Sequence, residues 1–287
     1  MKTAVITTGG LGTRMLTFTK GNPKTMLPLY TKSNDNYTKS FFKPLIEIIF
    51  ENLYDQGFRK FCFIVGQKTK NSIMNHMLPD TKFINLLKSR NFPEDKIFID
   101  TLVKFYTKII NSEIKWIIQP TPAGFGDALL KSKKFVGKDD FLLHAGDAYF
   151  PEYEFLENFI KKHENSKNVS ASILIKKMKI LKGYGIAQVK KHDSENLIIG
   201  VEEKPKKPKS NLAILPVYIF NSNIFKALKE TSKGYKSELQ VTDAVMTLIN
   251  EKEKVLGFNY GNKKWFDIGS PSNYFNALTY SYKRTFN

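Results

Sequence analysis

Residues 8 to 29 read TGGLGTRMLTFTKGNPKTMLPL, which sets glycines, one arginine and a lysine close behind an apolar run. Gly10 and Gly12 let backbone N–H groups approach an anion without a Cβ in the way. Arg14 can fork onto a phosphate, and Pro23 stiffens the approach to Lys24. The chemistry on offer is anion binding. Neither common phosphate grip fits, however. Met15 stands where a dinucleotide fingerprint needs its third glycine, and Lys24 follows Pro23 where a P-loop needs Gly-Lys-Ser/Thr. Taken alone, the stretch reads equally as a Gly-rich turn with two solvated cations. Asp147 ends the apolar run FLLHAGD, at the carboxyl edge of a sheet where ligands usually bind. Asp267 occupies a similar setting in WFDIG. Either aspartate in isolation reads as an ordinary strand end.

These residues need elements to hold them. Thr3–Thr8 (TAVITT) reads as a buried strand, followed by the glycine loop. Pro44–Leu53 reads as a helix with Leu45, Ile48, Ile49 and Leu53 on one face. Lys60–Val65 is the second strand, Asn71–Met77 a short helix and Asp95–Asn111 a longer one. Ile114–Gln119 is a third strand, Gly126–Lys134 a helix and Phe141–Ala145 a fourth strand. Strands separated by helices argue for a parallel sheet covered on both faces. A helix at Glu152–His163 then precedes four crowded strand-like runs: Val169–Ile175, Gly185–Lys190, Leu197–Glu203 and Leu212–Phe220. They suggest an antiparallel or mixed extension of the same sheet. Helices return at Asn223–Lys229, Thr242–Glu251 and Pro271–Tyr282, and the polar stretch Thr31–Ser40 reads as a surface loop.

Composition narrows the class. At 287 residues, 41% hydrophobic and 25% charged, the chain has the make-up of a soluble globular protein with a substantial core. No apolar run reaches the roughly 18 residues of a membrane span. The N-terminus runs into KTAVITTGG without a signal-peptide pattern, so no membrane partner is expected. The single cysteine, Cys62 in FCFIV, reads as a core residue in a reducing cytoplasm. A net charge of +18 raises nucleic acid as a partner, but all except four of the 45 basic residues are lysine. Base readout favours arginine, and the lysines are spread along the chain. The bland reading, a Lys-rich surface as in an AT-rich genome or a thermophile, is preferred, and no specific nucleic-acid partner is expected.

Ordered motifs carry a sharper reading. GTRMLTFTKGNPKTMLPL resembles the signature GxGTRxLPxTKxxPKxMLP of the sugar-1-phosphate nucleotidylyltransferases, nearest the bacterial and archaeal UTP–glucose-1-phosphate uridylyltransferases. KNSIMNH (Lys70–His76) is similar to KNSIENH, and QPTPAGFGDAL (Gln119–Leu129) to the Q…GLGHA segment. HAGDAYF resembles the first metal strand, and WFDIGSPSNYFNA (Trp265–Ala277) the second metal motif. GYGIA (Gly183–Ala187), EEKPKKPKSNLA (Glu202–Ala213) and ELQVTDAV (Glu238–Val245) resemble the sugar-site segments. The likeness spans nearly the whole chain.

The resemblance implies a Rossmann-like three-layer α/β sandwich with a central mixed, mostly parallel sheet. It implies one domain over residues 1–287, with a nucleotide-binding half at 1–150 and a sugar-binding half at 151–287. The expected reaction transfers a uridylyl group from UTP to a sugar 1-phosphate, with glucose 1-phosphate foremost, and releases pyrophosphate. Gly10, Gly12 and Thr13 would cradle the triphosphate, with Arg14 on the β/γ-phosphates and Lys24 at the α-phosphate. Asp147 and Asp267 would be the Mg2+ ligands. Gln119 offers an amide donor and acceptor to a pyrimidine edge, and Gly124 allows close approach to the base. Glu203 and Lys204 would serve the sugar hydroxyls and the sugar phosphate, although strand alternation would point them to opposite sides unless a turn re-aims them. Gly185 would let the sugar come close. His144 reads as structural. The family also implies a cytoplasmic homo-oligomer, dimer or tetramer.

Four positions depart from the pattern. Thr17 stands for a proline, Thr25 for a glutamate, Asp127 for the histidine of GLGHA, and Pro216 for a glycine near the sugar site. None removes a phosphate or metal group, while Pro216 puts glucose as the only sugar in question. Within the class the rivals are a thymidylyltransferase using dTTP and a broad-specificity enzyme. Outside it stands a catalytically silent nucleotide-sugar-binding regulator. Retention of Arg14, Lys24, Asp147, Lys204 and Asp267 argues against that last reading.

Overall fold

Strand β1 (Thr3–Thr7) sits between two hydrophobic cores, sending Ala4 and Ile6 into one and Val5 into the other. That alternation is what a strand inside a sheet covered on both faces requires. The computed structural model describes residues 1–32, 40–192 and 195–286. A hairpin follows, β2 (Pro28–Lys32) with β3 (Ser40–Pro44), and leads into α1 (Leu45–Asp55). Next come β4 (Lys60–Gly66), α2 (Lys70–Met77), α3 (Thr81–Arg90), α4 (Pro93–Ile110) and β5 (Glu113–Gln119). After α5 (Phe125–Lys131) and α6 (Lys133–Val136), the chain forms β6 (Phe141–Ala145), the short β7 (Ala148–Tyr149) and α7 (Phe155–Asn165). The later part runs β8 (Val169–Lys177), β9 (Ile186–His192), β10 (Glu195–Glu202) and β11 (Leu212–Phe220). It ends with α8 (Asn223–Glu230), α9 (Val241–Asn250), β12 (Lys254–Asn259), β13 (Phe266–Asp267) and α10 (Pro271–Phe286).

The main sheet has nine strands in the order β5-β4-β1-β6-β11-β8-β12-β10-β9. Strands β5, β4, β1 and β6 are parallel neighbours, as are β8 and β12. Strands β11 and β10 run against their neighbours, so the sheet is mixed but mostly of one direction. One face is packed by residues of α1, α2, α4 and α7, the other by residues of α5, α8 and α9. Phe50 of α1 lies 4.7 Å from Phe61 and 6.0 Å from Phe105, ring centre to ring centre. A buried ring of this kind is worth about 3–5 kcal/mol.

Several expectations need adjusting. Helix α3 occupies a stretch where the sequence pattern shows only a connection. Asp80 caps it by accepting from the Phe83 N–H at 2.9 Å, and Asn91 ends it in the left-handed conformation. Strand β12 and the two-residue strands β7 and β13 are likewise additions to the expected elements. The loop expected at Thr31–Ser40 begins and ends as strand, with Thr31 and Lys32 in β2 and Ser40 in β3; residues 33–39 lie outside the described residues. The helix expected over Gly126–Lys134 breaks at Ser132, whose hydroxyl bonds the Leu129 carbonyl. Cys62 is fully buried, and burial pushes its thiol up to about 12. No helix among the described residues is long and apolar enough to cross a membrane.

Candidate active site

The carboxyl ends of β1, β5 and β6 open into a cleft of about 580 Å³, bordered by every residue singled out in the sequence as a site candidate. The first wall is the glycine loop after β1. Gly12 has φ +62°, and a Cβ there would meet Thr19 Cγ2 at 2.7 Å and Lys24 Cγ at 3.2 Å. Its carbonyl accepts from the Met15 N–H at 2.7 Å and the Thr19 hydroxyl at 2.9 Å, folding the loop back over Lys24. A Cβ at Gly10 would meet nothing within 4 Å. Thr13 and Arg14 begin a turn of 3-10 helix, and Arg14 Nη2 reaches the α-carbon side of Gly269.

Asp147 lies just past β6, where the Gly146 N–H bonds the Thr7 carbonyl at 2.8 Å. Asp267 is far away in sequence, and the β7–β13 ribbon brings it back. Asp267 pairs with Ala148 in register, and the Ile268 N–H donates to the Asp147 carbonyl at 2.8 Å. Lys24 donates from its ammonium to Asp147. Burial opposes the Lys24 charge, but Asp147 and Asp267 hold its pKa above the ordinary lysine value. Burial likewise opposes ionisation of Asp147, yet the Lys24 charge and hydrogen bond keep that carboxyl below the usual range. At Asp267, burial and repulsion from Asp147 win, pushing it up to about 6 against the pull of Lys24, Arg14 and Lys204.

The far walls are equally specific. Gln119, at the end of β5, is only 4% exposed and donates from Nε2 to Asp127 at 2.7 Å and to the Gly124 carbonyl at 3.3 Å. Gly124 has φ +110°, and a Cβ there would stand 2.3 Å from the Leu239 carbonyl oxygen. Glycine is required here by the protein's own loop. Backbone bonds tie the same loops: Leu239 N–H to the Ala123 carbonyl at 3.0 Å, and Gly126 N–H to the Leu239 carbonyl at 2.8 Å. Lys204 adopts φ +46°, which turns Glu203 and Lys204 toward each other instead of to opposite sides. Their ion pair measures 2.8 Å, and the Thr242 hydroxyl donates to Glu203 at 2.7 Å. Gly185 faces the same carboxylate, 3.2 Å from its Oε2 when given a Cβ. Pro216 borders the cleft where the β11–β8 ladder skips register, a place that needs no N–H from it.

Residues that the sequence pattern does not single out also take part. Thr242 is only one letter of ELQVTDAV, and nothing in its spacing marks the bond to Glu203. Tyr184 and Trp265 meet edge to face at 5.7 Å on the cleft wall. Their aromatic type is the available signal. Of the departures, Thr25, Asp127 and Pro216 belong to this region, Thr25 and Pro216 bordering the cleft and Asp127 bonding Gln119. Thr17 does not border it. His144 is structural, fully buried, and bonded to Tyr153 and the Ala145 carbonyl.

A family profile described as Nucleotidyl transferase matches residues 3–283. The chain belongs to that family. Among nucleotidyl transferases, a UTP–glucose-1-phosphate uridylyltransferase of Mycoplasma pneumoniae is 31% identical over 99% of this chain and 94% of that protein. A putative UTP–glucose-1-phosphate uridylyltransferase of Methanocaldococcus jannaschii is 30% identical over 94% of this chain and 89% of its own length. The solved UTP-bound UGPase of Acinetobacter baumannii superposes with a TM-score of 0.79 at 25% identity, covering 98% of this chain and 93% of that one. The fold expected of this nucleotidyl transferase is the one observed.

Proposed function

We propose that this nucleotidyl transferase transfers a uridylyl group from UTP to glucose 1-phosphate, giving UDP-glucose and pyrophosphate. The observation that carries the proposal is a convergence in one cleft. The glycine loop, the Arg14 and Lys24 cations, two carboxylates and the Glu203–Lys204 pair all face the same space. An oxygen of the sugar phosphate attacks the α-phosphorus, the bond to the bridging oxygen breaks, and pyrophosphate leaves. Such a transfer needs charge neutralised and two phosphate groups aligned.

In this reading, residues 1–150 supply the nucleotide side and residues 151–287 the sugar side. Backbone N–H groups at Gly10, Gly12 and Thr13 cradle the triphosphate, with Arg14 on the leaving β/γ-phosphates. Lys24 has three N–H donors, so it can reach an α-phosphate oxygen while keeping Asp147. Among the described residues no cluster of three or more His, Cys, Asp or Glu could hold a metal unaided. Two neighbouring carboxylates fit Mg2+, which keeps phosphate and water oxygens as its other ligands. Bound by Asp147 and Asp267, it would supply charge neutralisation and phosphate orientation. Gln119 reads the base, with Gly124 beside it. Glu203, held by Thr242 and Lys204, accepts from sugar hydroxyls; Lys204 meets the sugar phosphate, and Gly185 leaves room for the ring. The buried, unpaired thiol of Cys62 suits a cytoplasmic setting.

The test incubates the protein with Mg2+, each NTP or dTTP, and a panel of sugar 1-phosphates, and follows pyrophosphate. UTP with glucose 1-phosphate is the expected pairing. No pyrophosphate from any pairing overturns the proposal. Asp147→Asn is expected to lower turnover by at least about 100-fold with a normal melting curve. Near-normal turnover in that variant removes Asp147 from the metal site.

A further inference from the structure

We propose that Asp127 is a positioning residue that sets the base preference of the cleft, by holding the Gln119 amide in a single orientation. The inference rests on the functional reading above. Gln119 Nε2 is 2.7 Å from Asp127 Oδ2 and 3.3 Å from the Gly124 carbonyl oxygen. Both partners accept and neither donates, so the amide NH2 group must face them. Asp127 is itself anchored, with Lys131 one helical turn on at 3.4 Å.

The other end of the amide is thereby fixed. Gln119 Oε1 turns toward Gly9, close enough that a Cβ on that glycine would stand 2.7 Å from it. No hydrogen bond from a protein donor among the described residues reaches Oε1. Gly9, Gln119 and Gly124 all border the cleft. The amide therefore offers an incoming base an acceptor and withholds its donor. Uracil and thymine carry an N3–H that suits an acceptor. Cytosine carries a lone pair at N3, and two acceptors would oppose each other. Flipping the amide to accommodate cytosine would set Oε1 against the Asp127 carboxylate and the Gly124 carbonyl. In a residue this buried, such opposition is costly. The histidine of the family pattern GLGHA imposes no such choice, because a neutral imidazole has one donor and one acceptor nitrogen. The Asp127 carboxylate leaves only one.

Calorimetric titration of UTP and of CTP into the wild type, Asp127→Asn and Asp127→Ala, in Mg2+ buffer, tests this. The wild type is expected to bind UTP at least about tenfold more tightly than CTP. In both variants the UTP-to-CTP ratio is expected to fall by roughly tenfold, chiefly through tighter CTP binding. Asp127→Asn would release the Gln119 amide because the introduced side chain can itself turn to accept or donate. Asp127→Ala would release it by removing the stronger of its two partners. A merely structural role would weaken both nucleotides together and leave the ratio unchanged, and that result overturns the proposal. A wild type without preference for UTP overturns it as well. Pyrophosphate release by the wild type, measured separately, reports on the functional reading alone. Where one variant fails to fold, the other decides.

Discussion

At His144, two hydrogen bonds fix the tautomer. The Ala145 carbonyl can only accept, so Nδ1 carries the proton at 2.8 Å, and Tyr153 donates its hydroxyl to Nε2 at 3.0 Å. Burial pushes the imidazole down to about 4 from an ordinary 6.5. The unfolded chain therefore takes up a proton near pH 6.5 while the folded chain resists it. Stability from this group is complete above pH 6.5 and is lost as pH falls toward 4, by about 3 kcal/mol. Urea unfolding of His144→Gln, compared with the wild type near about pH 7 and about pH 4.5, is expected to show a shallower loss on acidification. An unchanged slope would mean that His144 contributes nothing to acid sensitivity. At this scale the sequence is informative about type and silent about geometry. Glu203 and Lys204 are recognisable from EEKPKKPK, yet their ion pair depends on the positive φ at Lys204, which no letter announces. Thr242 owes its partner to a chain segment far away in sequence, and Gln119 owes its own to the turn that brings α5 back over the end of β5.

Elements are legible in proportion to how strongly burial patterns them. Strands β1, β4 and β6 are continuous apolar runs because both of their faces are covered, and their limits fall within a residue or two of expectation. Helix α3 buries only Ile84 and Leu87, so its apolar face is too narrow to stand out from TKFINLLKSR. Strands β7 and β13 have two residues each, too few for any periodicity, although they bring the two aspartates together. The β5–α5 turn shows how much an inter-element contact can depend on one position. Gly124→Ala would force a side chain into the left-handed region and against the Leu239 carbonyl. The variant is expected to lose at least about 2 kcal/mol of stability and to bind UTP more weakly, both readable by denaturation and titration. Wild-type stability would show that the two loops separate at little cost.

Across the molecule, the net charge of +18 coexists with many local pairings, such as Lys43 with Glu47 and Glu51, Lys108 with Asp55, and Lys254 with Glu195. The lysines are spread along the sequence rather than gathered in one block, which suits attraction of small polyanions over the grip of a nucleic-acid helix. The KM for UTP is accordingly expected to rise at least about twofold between roughly 0.05 M and 0.5 M salt, measured at fixed free Mg2+. A salt-independent KM would leave the charge without a part in substrate capture.

The tie between the two cleft loops has a consequence for how such a chain can change over generations. Its bonds join Leu239 to Ala123 and Gly126 through backbone atoms alone. Exchanging a side chain on either loop therefore leaves these bonds intact, provided the glycines at 124 and 126 stay, because a Cβ at either would stand within 3 Å of the Leu239 carbonyl oxygen. Loop length is not free in the same way. An insertion or deletion on either side shifts the backbone partners out of step, so new base or sugar preferences are reached more readily by swapping residues than by lengthening the chain.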